Sequence, residues 1–324
     1  MAAASTGSGI AFRGFDWTPL APVVKWFKMA RVLFLLAALA LIHTATAQQM
    51  TMGEDLLSAG VNSTFLTTQM VNYTADIPLT AFLAYDNSTT APRPAVIIVP
   101  DWDGIGGYEM WRAKLLANLG YVAMVADVYG SNISQGPALP TSVRSSLLMP
   151  LMSNPALFRS RMIAAINTVK TLPITNTSAI AAIGYCSGGT GIIELLRAYP
   201  NGTEGLRGVM GFHAGRLNTT GTKAVPNNPI KLSLQSGAKD ASVSGKAEMV
   251  AEMDAANVTW EFTDYSNTLH SFTNPATNAS GNSAYNAQAD MRSWASLRVF
   301  LNEIFGFVPM SNIYTYAMGN SLPR

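Results

Sequence analysis

The amino-acid sequence predicts an α/β fold: a mostly parallel, doubly wound sheet with helices on both faces. Three observations predict it. Apolar runs of strand length alternate with amphipathic stretches of helical length from residue 79 onward. Some of those runs are apolar throughout, as strands buried on both faces must be. The breaks between them fall on Gly, Pro and Asn, residues that favour turns. The chain has 324 residues, enough for one large domain with a full core or two small ones.

Taken in order, Leu79–Tyr85 reads as a strand, closed by an Asn-Ser-Thr-Thr-Ala-Pro turn. Ala95–Val99 is an uninterrupted apolar, β-branched run and reads as a central strand. Tyr108–Leu119 has helical spacing and stops at Gly120. Tyr121–Ala126 is the next strand, and residues 130–154 are Gly/Pro/Ser-rich with no clear period. Pro155–Thr171 reads as a helix, Ala179–Gly184 as a strand, Gly188–Ala198 as a helix and Gly208–Phe212 as a strand. Ile230–Gln235 is a strand, Ser244–Ala256 a helix, Val258–Asp264 an alternating strand, and Ala284–Phe305 a long closing helix. Residues 48–75 are polar and Thr/Asn-rich and are expected to form an irregular lead-in. The folded domain is expected over 76–308, with a tail over 309–324. In such sheets the ligand site lies at the carboxyl ends of the strands.

Residues 1–47 read as a secretory signal with an unusual extension. Lys25 and Lys28 precede Met29-Ala-Arg, the apolar run Val32–Ile42 follows, and Ala45-Thr46-Ala47 supplies small residues for cleavage before Gln48. Met29 is an alternative start. The run is short for a membrane span, which needs about 20 apolar residues; an uncleaved signal anchor is the alternative. Nine Asn-x-Ser/Thr triplets, at Asn62, Asn72, Asn87, Asn132, Asn176, Asn201, Asn218, Asn257 and Asn278, favour a secreted glycoprotein carrying N-linked glycans. Glycans would also solubilise a chain in which 48% of residues are hydrophobic and 12% charged. Of the 21 basic and 19 acidic residues, Arg13, Lys25, Lys28, Arg31 and Asp16 belong to the signal. The remainder has 17 basic and 18 acidic residues, a net of −1 with no basic stripe, so no nucleic-acid partner is implied.

Cys186 is the one cysteine. It cannot form an internal disulfide, and an isolated buried Cys is usually an inert small hydrophobe. Its context points elsewhere. Ile183-Gly184-Tyr185-Cys186-Ser187-Gly188-Gly189 joins an apolar strand to a helix, the strand–turn–helix setting of a nucleophile elbow with Cys in place of Ser. Glycines flank the nucleophile because a Cβ there would crowd the strand and helix. The helix N-terminus favours a thiolate and a developing oxyanion.

A nucleophile needs a base, and the base an orienting acid. His270 follows a predicted strand and precedes the closing helix, where this fold class carries its base. His213, in Gly211-Phe-His-Ala-Gly, is the alternative, a pocket residue or a hydrogen-bonded strand-end side chain. Asp240, in the Gly-containing loop Ser236–Asp240, is the expected acid; Asp254 and Asp264 are weaker alternatives. The chain order Cys186, Asp240, His270 is that of nucleophile, acid and base in α/β-hydrolases.

These motifs make the chain resemble the dienelactone hydrolase family over roughly residues 75–305. The resemblance also includes Pro94-Ala-Val-Ile-Ile-Val-Pro-Asp-Trp-Asp-Gly-Ile and Leu119-Gly-Tyr-Val-Ala-Met-Val-Ala-Asp-Val-Tyr-Gly130. It implies the α/β-hydrolase fold, cleavage of esters or lactones through a thioester, and no metal or cofactor. It further implies that Asp101 stands where the family has a Glu that interacts with the resting thiol. The backbone N–H groups of Trp102 and Ser187 would then form the oxyanion hole. Family members that act on dienelactone hold its carboxylate with arginines; Arg159, Arg161 and Arg216 are the candidates here. Tyr108, Trp111, Tyr129 and His213 could line a pocket. The expected partner is a small-molecule ester or lactone. The competing readings are a non-catalytic hydrolase-like binding glycoprotein and a peptidase or dehalogenase on the same fold.

Overall fold

The computed structural model describes residues 61–306 apart from Ser63, Ser134, Thr219 and Thr220. The expected signal (1–47) and tail (309–324) lie outside the described residues. Among the described residues, eight strands form one sheet in the order β1-β2-β4-β3-β5-β6-β7-β8. They are β1 (Leu66–Thr74), β2 (Pro78–Asp86), β3 (Arg93–Val99), β4 (Val122–Val125), β5 (Thr175–Tyr185), β6 (Leu206–Phe212), β7 (Lys231–Gly237) and β8 (Trp260–Tyr265). β1 pairs antiparallel with β2, and β2 with β4. The pairs from β4 through β8 are parallel.

Period-two alternation along β3 divides the core. Ala95, Ile97 and Val99 face one apolar cluster, whereas Val96 and Ile98 face the other, and all five are fully buried. Helices α1 (Gly107–Asn118) and α6 (Ala287–Phe305) cover the second cluster through Trp111, Leu116, Leu297 and Phe300. The first is covered by α3 (Pro155–Lys170), α4 (Ser187–Arg197) and α5 (Lys246–Ala255). Each such Ile, Leu or Phe removed from water contributes about 1.5–3 kcal/mol. Arg197 is fully buried, bonds Glu194 of its own helix (2.8 Å) and ties α4 to α5 through both oxygens of Glu252 (2.9 and 2.7 Å).

Two regions differ from the sequence expectation. The lead-in over 48–75 contains β1, an edge strand with one neighbour. Its residues are mostly exposed or half-buried, so it carries no apolar run. The stretch 130–154 contains α2 (Thr141–Ser153), in which Leu151 is the buried residue and Pro150 interrupts the turn. A helix without an apolar stripe leaves no helical period to read. No helix among the described residues is long and apolar enough to cross a membrane.

Candidate active site

Parallel strands deliver the candidate residues to one edge. Asp101 follows β3, Cys186 follows β5, His213 follows β6, Asp240 follows β7 and His270 follows β8. Cys186 sits between strand and helix with φ 52° and ψ −114°, a strained conformation for a residue with a Cβ. The flanking glycines permit it. A Cβ on Gly184 would lie 2.1 Å from the Gly188 carbonyl oxygen, and one on Gly188 would lie 2.1 Å from that of Val99. The turn therefore packs backbone against backbone on both sides of the thiol.

Cys186, His270 and Asp240 come together in a line. Nε2 of His270 is 3.0 Å from Cys186 Sγ, and its Nδ1 is 2.6 Å from Asp240 Oδ2. The other Asp240 oxygen accepts from the Ser242 N–H at 2.8 Å and the Asn282 side-chain amide at 2.9 Å. Burial disfavours the Asp240 carboxylate, yet these bonds and His270 hold its pKa down at about 2. Burial likewise opposes charge on His270, but hydrogen bonds to Asp240 and Cys186 raise it to about 10. The pair thus favours an imidazolium beside the sulfur.

The two backbone N–H groups expected to form the oxyanion hole belong to Ser187 and Trp102. Ser187 opens α4, so its N–H has no acceptor within the helix. The Asp101 carbonyl accepts from the Gly104 N–H at 3.1 Å. The Trp102 N–H shares that trans peptide plane and points the opposite way. Tyr129 donates its hydroxyl to the Trp102 carbonyl at 2.9 Å, and Gln135 accepts from the Ile105 N–H at 2.9 Å. Both bonds brace this turn from the loop after β4.

Asp101 does not stand alone. Carboxyl oxygens of Asp101, Asp103 and Glu109 lie within 4.8 Å of one another, a spacing that could seat a cation or a shared proton. Burial, a hydrogen bond with Asp103 and the charges of Glu109, Asp103 and Cys186 push the Asp101 carboxyl well above the carboxylate range. Burial first, and then Asp103, raise Glu109 to about 8. Arg144 is the cation alongside, 3.8 Å from Asp103 and stacked 5.1 Å above the Trp102 ring.

The residues expected to line a pocket are engaged in the protein instead. Tyr108 and Trp111 are buried in the core behind the site, because their helix packs that face inward. The Tyr108 hydroxyl bonds Thr273 Oγ1 at 2.7 Å. Tyr129 is the brace just described, and buried His213 contacts the Cys186 backbone. The three arginine candidates also have protein partners: Arg159 faces Glu194, Arg161 binds Asp76, and Arg216 binds the Met152 carbonyl. Asp254 accepts from the Trp260 indole and Asp264 pairs with Lys246, so neither alternative acid bonds His270. Sequence reading did not find Asn282, Gln135 or Thr273. Asn282 and Gln135 carry no motif, although Thr273 lies three residues after His270 in His270-Ser271-Phe272-Thr273.

The dienelactone hydrolase family model matches residues 79–305, well over half of the chain. This protein belongs to the dienelactone hydrolase family. Among solved structures, a dienelactone hydrolase-like promiscuous phosphotriesterase from metagenomic libraries is 28% identical, with TM-score 0.67, covering 74% of this chain and 99% of its own. A structure named m3DLH is 29% identical at TM-score 0.66, again over 74% and 99%. An uncharacterised protein of Caenorhabditis elegans is 30% identical over 152 residues, 45% of this chain and 94% of its own. Membership makes the protein one of a hydrolase family on the α/β-hydrolase scaffold.

Proposed function

We propose that this dienelactone hydrolase family member cleaves carboxylic esters or lactones through a Cys186 thioester. The observation that carries the reading is the unbroken Cys186–His270–Asp240 contact line at the strand ends. His270 Nε2 takes the thiol proton, and the sulfur adds to the carbonyl carbon. The N–H groups of Trp102 and Ser187 receive the oxyanion, each such donor contributing about 3 kcal/mol. Collapse breaks the C–O bond, and the leaving alkoxide takes the proton from His270. Water then gives a proton to His270 as it attacks the thioester, and the thiolate departs with the acid as product. Amides suit this scheme poorly, because a thiolate leaves more readily than an amine.

The raised Asp101 carboxyl supports a particular division of labour. A protonated acid beside the sulfur donates a hydrogen bond but cannot take a proton, which leaves His270 as the only base in the reading. The signal-like segment and the nine sequons support a secreted, N-glycosylated protein whose partner is a small ester or lactone. Assaying p-nitrophenyl acetate with wild type and Cys186→Ala tests the proposal. Turnover is expected only with the thiol; equal rates in both proteins would defeat it.

A further inference from the structure

His213 is a histidine the proposed chemistry does not use, yet it occupies the centre of the site. It directly follows β6 with φ 41° and is 1% exposed. Its Nδ1 accepts from the Cys186 backbone N–H at 3.1 Å, a donor also shared with the Phe212 carbonyl at 3.0 Å. Its Nε2 meets Thr273 Oγ1 at 2.9 Å. Because a backbone N–H only donates, Nδ1 must be the unprotonated nitrogen, and Nε2–H donates to Thr273. The ring lies edge-on to His270 at 5.0 Å between centroids and edge-on to Phe272 at 5.5 Å.

One imidazole therefore joins three separate pieces of chain: the nucleophile turn, the end of β6, and the loop that carries His270. We infer that His213 is a positioning residue that holds the Cys186 turn and the His270 loop in register, so that sulfur and base stay in contact. The inference rests on the proposed role of Cys186 as nucleophile. Thr273 is itself anchored from behind. Its hydroxyl bonds Tyr108, and its carbonyl accepts from Arg112 at 2.8 Å, while Arg112 pairs with Asp290. The groups facing His213 are His270, Asp240, Arg112 and Tyr185. Burial, with His270 next, keeps its pKa well below the ordinary histidine value. The ring thus stays neutral and adds no charge beside the His270 imidazolium.

The test separates the two contacts. Asn offers an acceptor near the position of Nδ1 and tolerates positive φ, so His213→Asn keeps the bond to Cys186. Gln reaches toward Thr273 and gives up the bond to Cys186. The readouts are the rate of Cys186 alkylation by iodoacetamide, which needs no knowledge of the natural substrate, and kcat and KM on p-nitrophenyl acetate. His213→Gln and His213→Phe are expected to alkylate about tenfold more slowly or worse, and to lose kcat by about ten- to a hundredfold with KM within about twofold. His213→Asn is expected to recover most of both. Wild-type alkylation and kcat in a folded His213→Phe would overturn the inference, as would Gln performing as well as Asn. Should the Phe variant not fold, the Asn and Gln pair decides alone. A different result, wild type alkylating no faster than His270→Ala, would defeat the nucleophile reading itself and take this inference with it.

Discussion

At the residue scale the account turns on which groups hold protons. His270 is raised from 6.5 to about 10 and Asp240 lowered from 3.8 to about 2. A raised histidine stabilises the fold fully below its unfolded value and loses that contribution as pH climbs through about 10. A depressed aspartate contributes above its unfolded value and loses it as pH falls through about 2. The melting-temperature advantage of wild type over Asp240→Asn should therefore be greatest between about pH 4 and 6.5, shrinking toward both extremes. A difference that does not change with pH would contradict the pairing. Asp101 carries the opposite expectation. If its carboxyl is a neutral donor, Asp101→Asn should keep kcat/KM within about threefold, since an amide also donates. A hundredfold loss would mean that the ionised acid is required. The Cys186–His270–Asp240 contact line was legible because each member follows a strand, in the order that the proposed chemistry needs. The upward shift of the Asp101 carboxyl was not, because its burial, and after it the approach of Asp103 and Glu109, arise only when the chain packs around the turn.

At the scale of elements, the nucleophile turn depends on close approach of backbones. A Cβ at position 188 meets carbonyl oxygens of Val99 and Pro100 at 2.1 and 2.5 Å, and neither belongs to a side chain that could swing away. Gly188→Ala should cost about 3 kcal/mol or more, read as a lowered denaturation midpoint; a wild-type midpoint would refute the packing argument. The glycine pattern announced this turn, and the apolar and alternating runs announced β2 through β8. β1 and α2 were hidden for a shared reason. Each buries little, so neither bears the periodicity that burial imprints on a sequence. The pairing of Arg112 with Asp290, which supports Thr273 from behind the site, joins residues 178 positions apart. No local pattern records such a contact.

At the scale of the whole molecule, the sequons sort by exposure. Asn62, Asn72, Asn87, Asn132, Asn176, Asn201, Asn257 and Asn278 are exposed, whereas Asn218 is half-buried against Gly245. Expression through a eukaryotic secretory pathway should give a protein that loses mass on enzymatic deglycosylation. Glycopeptide mass spectrometry is expected to find Asn218 unmodified; a fully occupied Asn218, or a chain with no glycans at all, would contradict this reading. The sheet brings the strand ends to one edge, and there the Cys186 thiol meets the His270 imidazole. The most direct measurement of the central claim is intact-protein mass after brief, quenched exposure to a p-nitrophenyl ester. The account predicts one acyl group on the wild-type chain, mapped to Cys186 and released by hydroxylamine, and none on Cys186→Ala. Turnover of the ester with no adduct on Cys186, or an adduct that persists in the Ala variant, would contradict it.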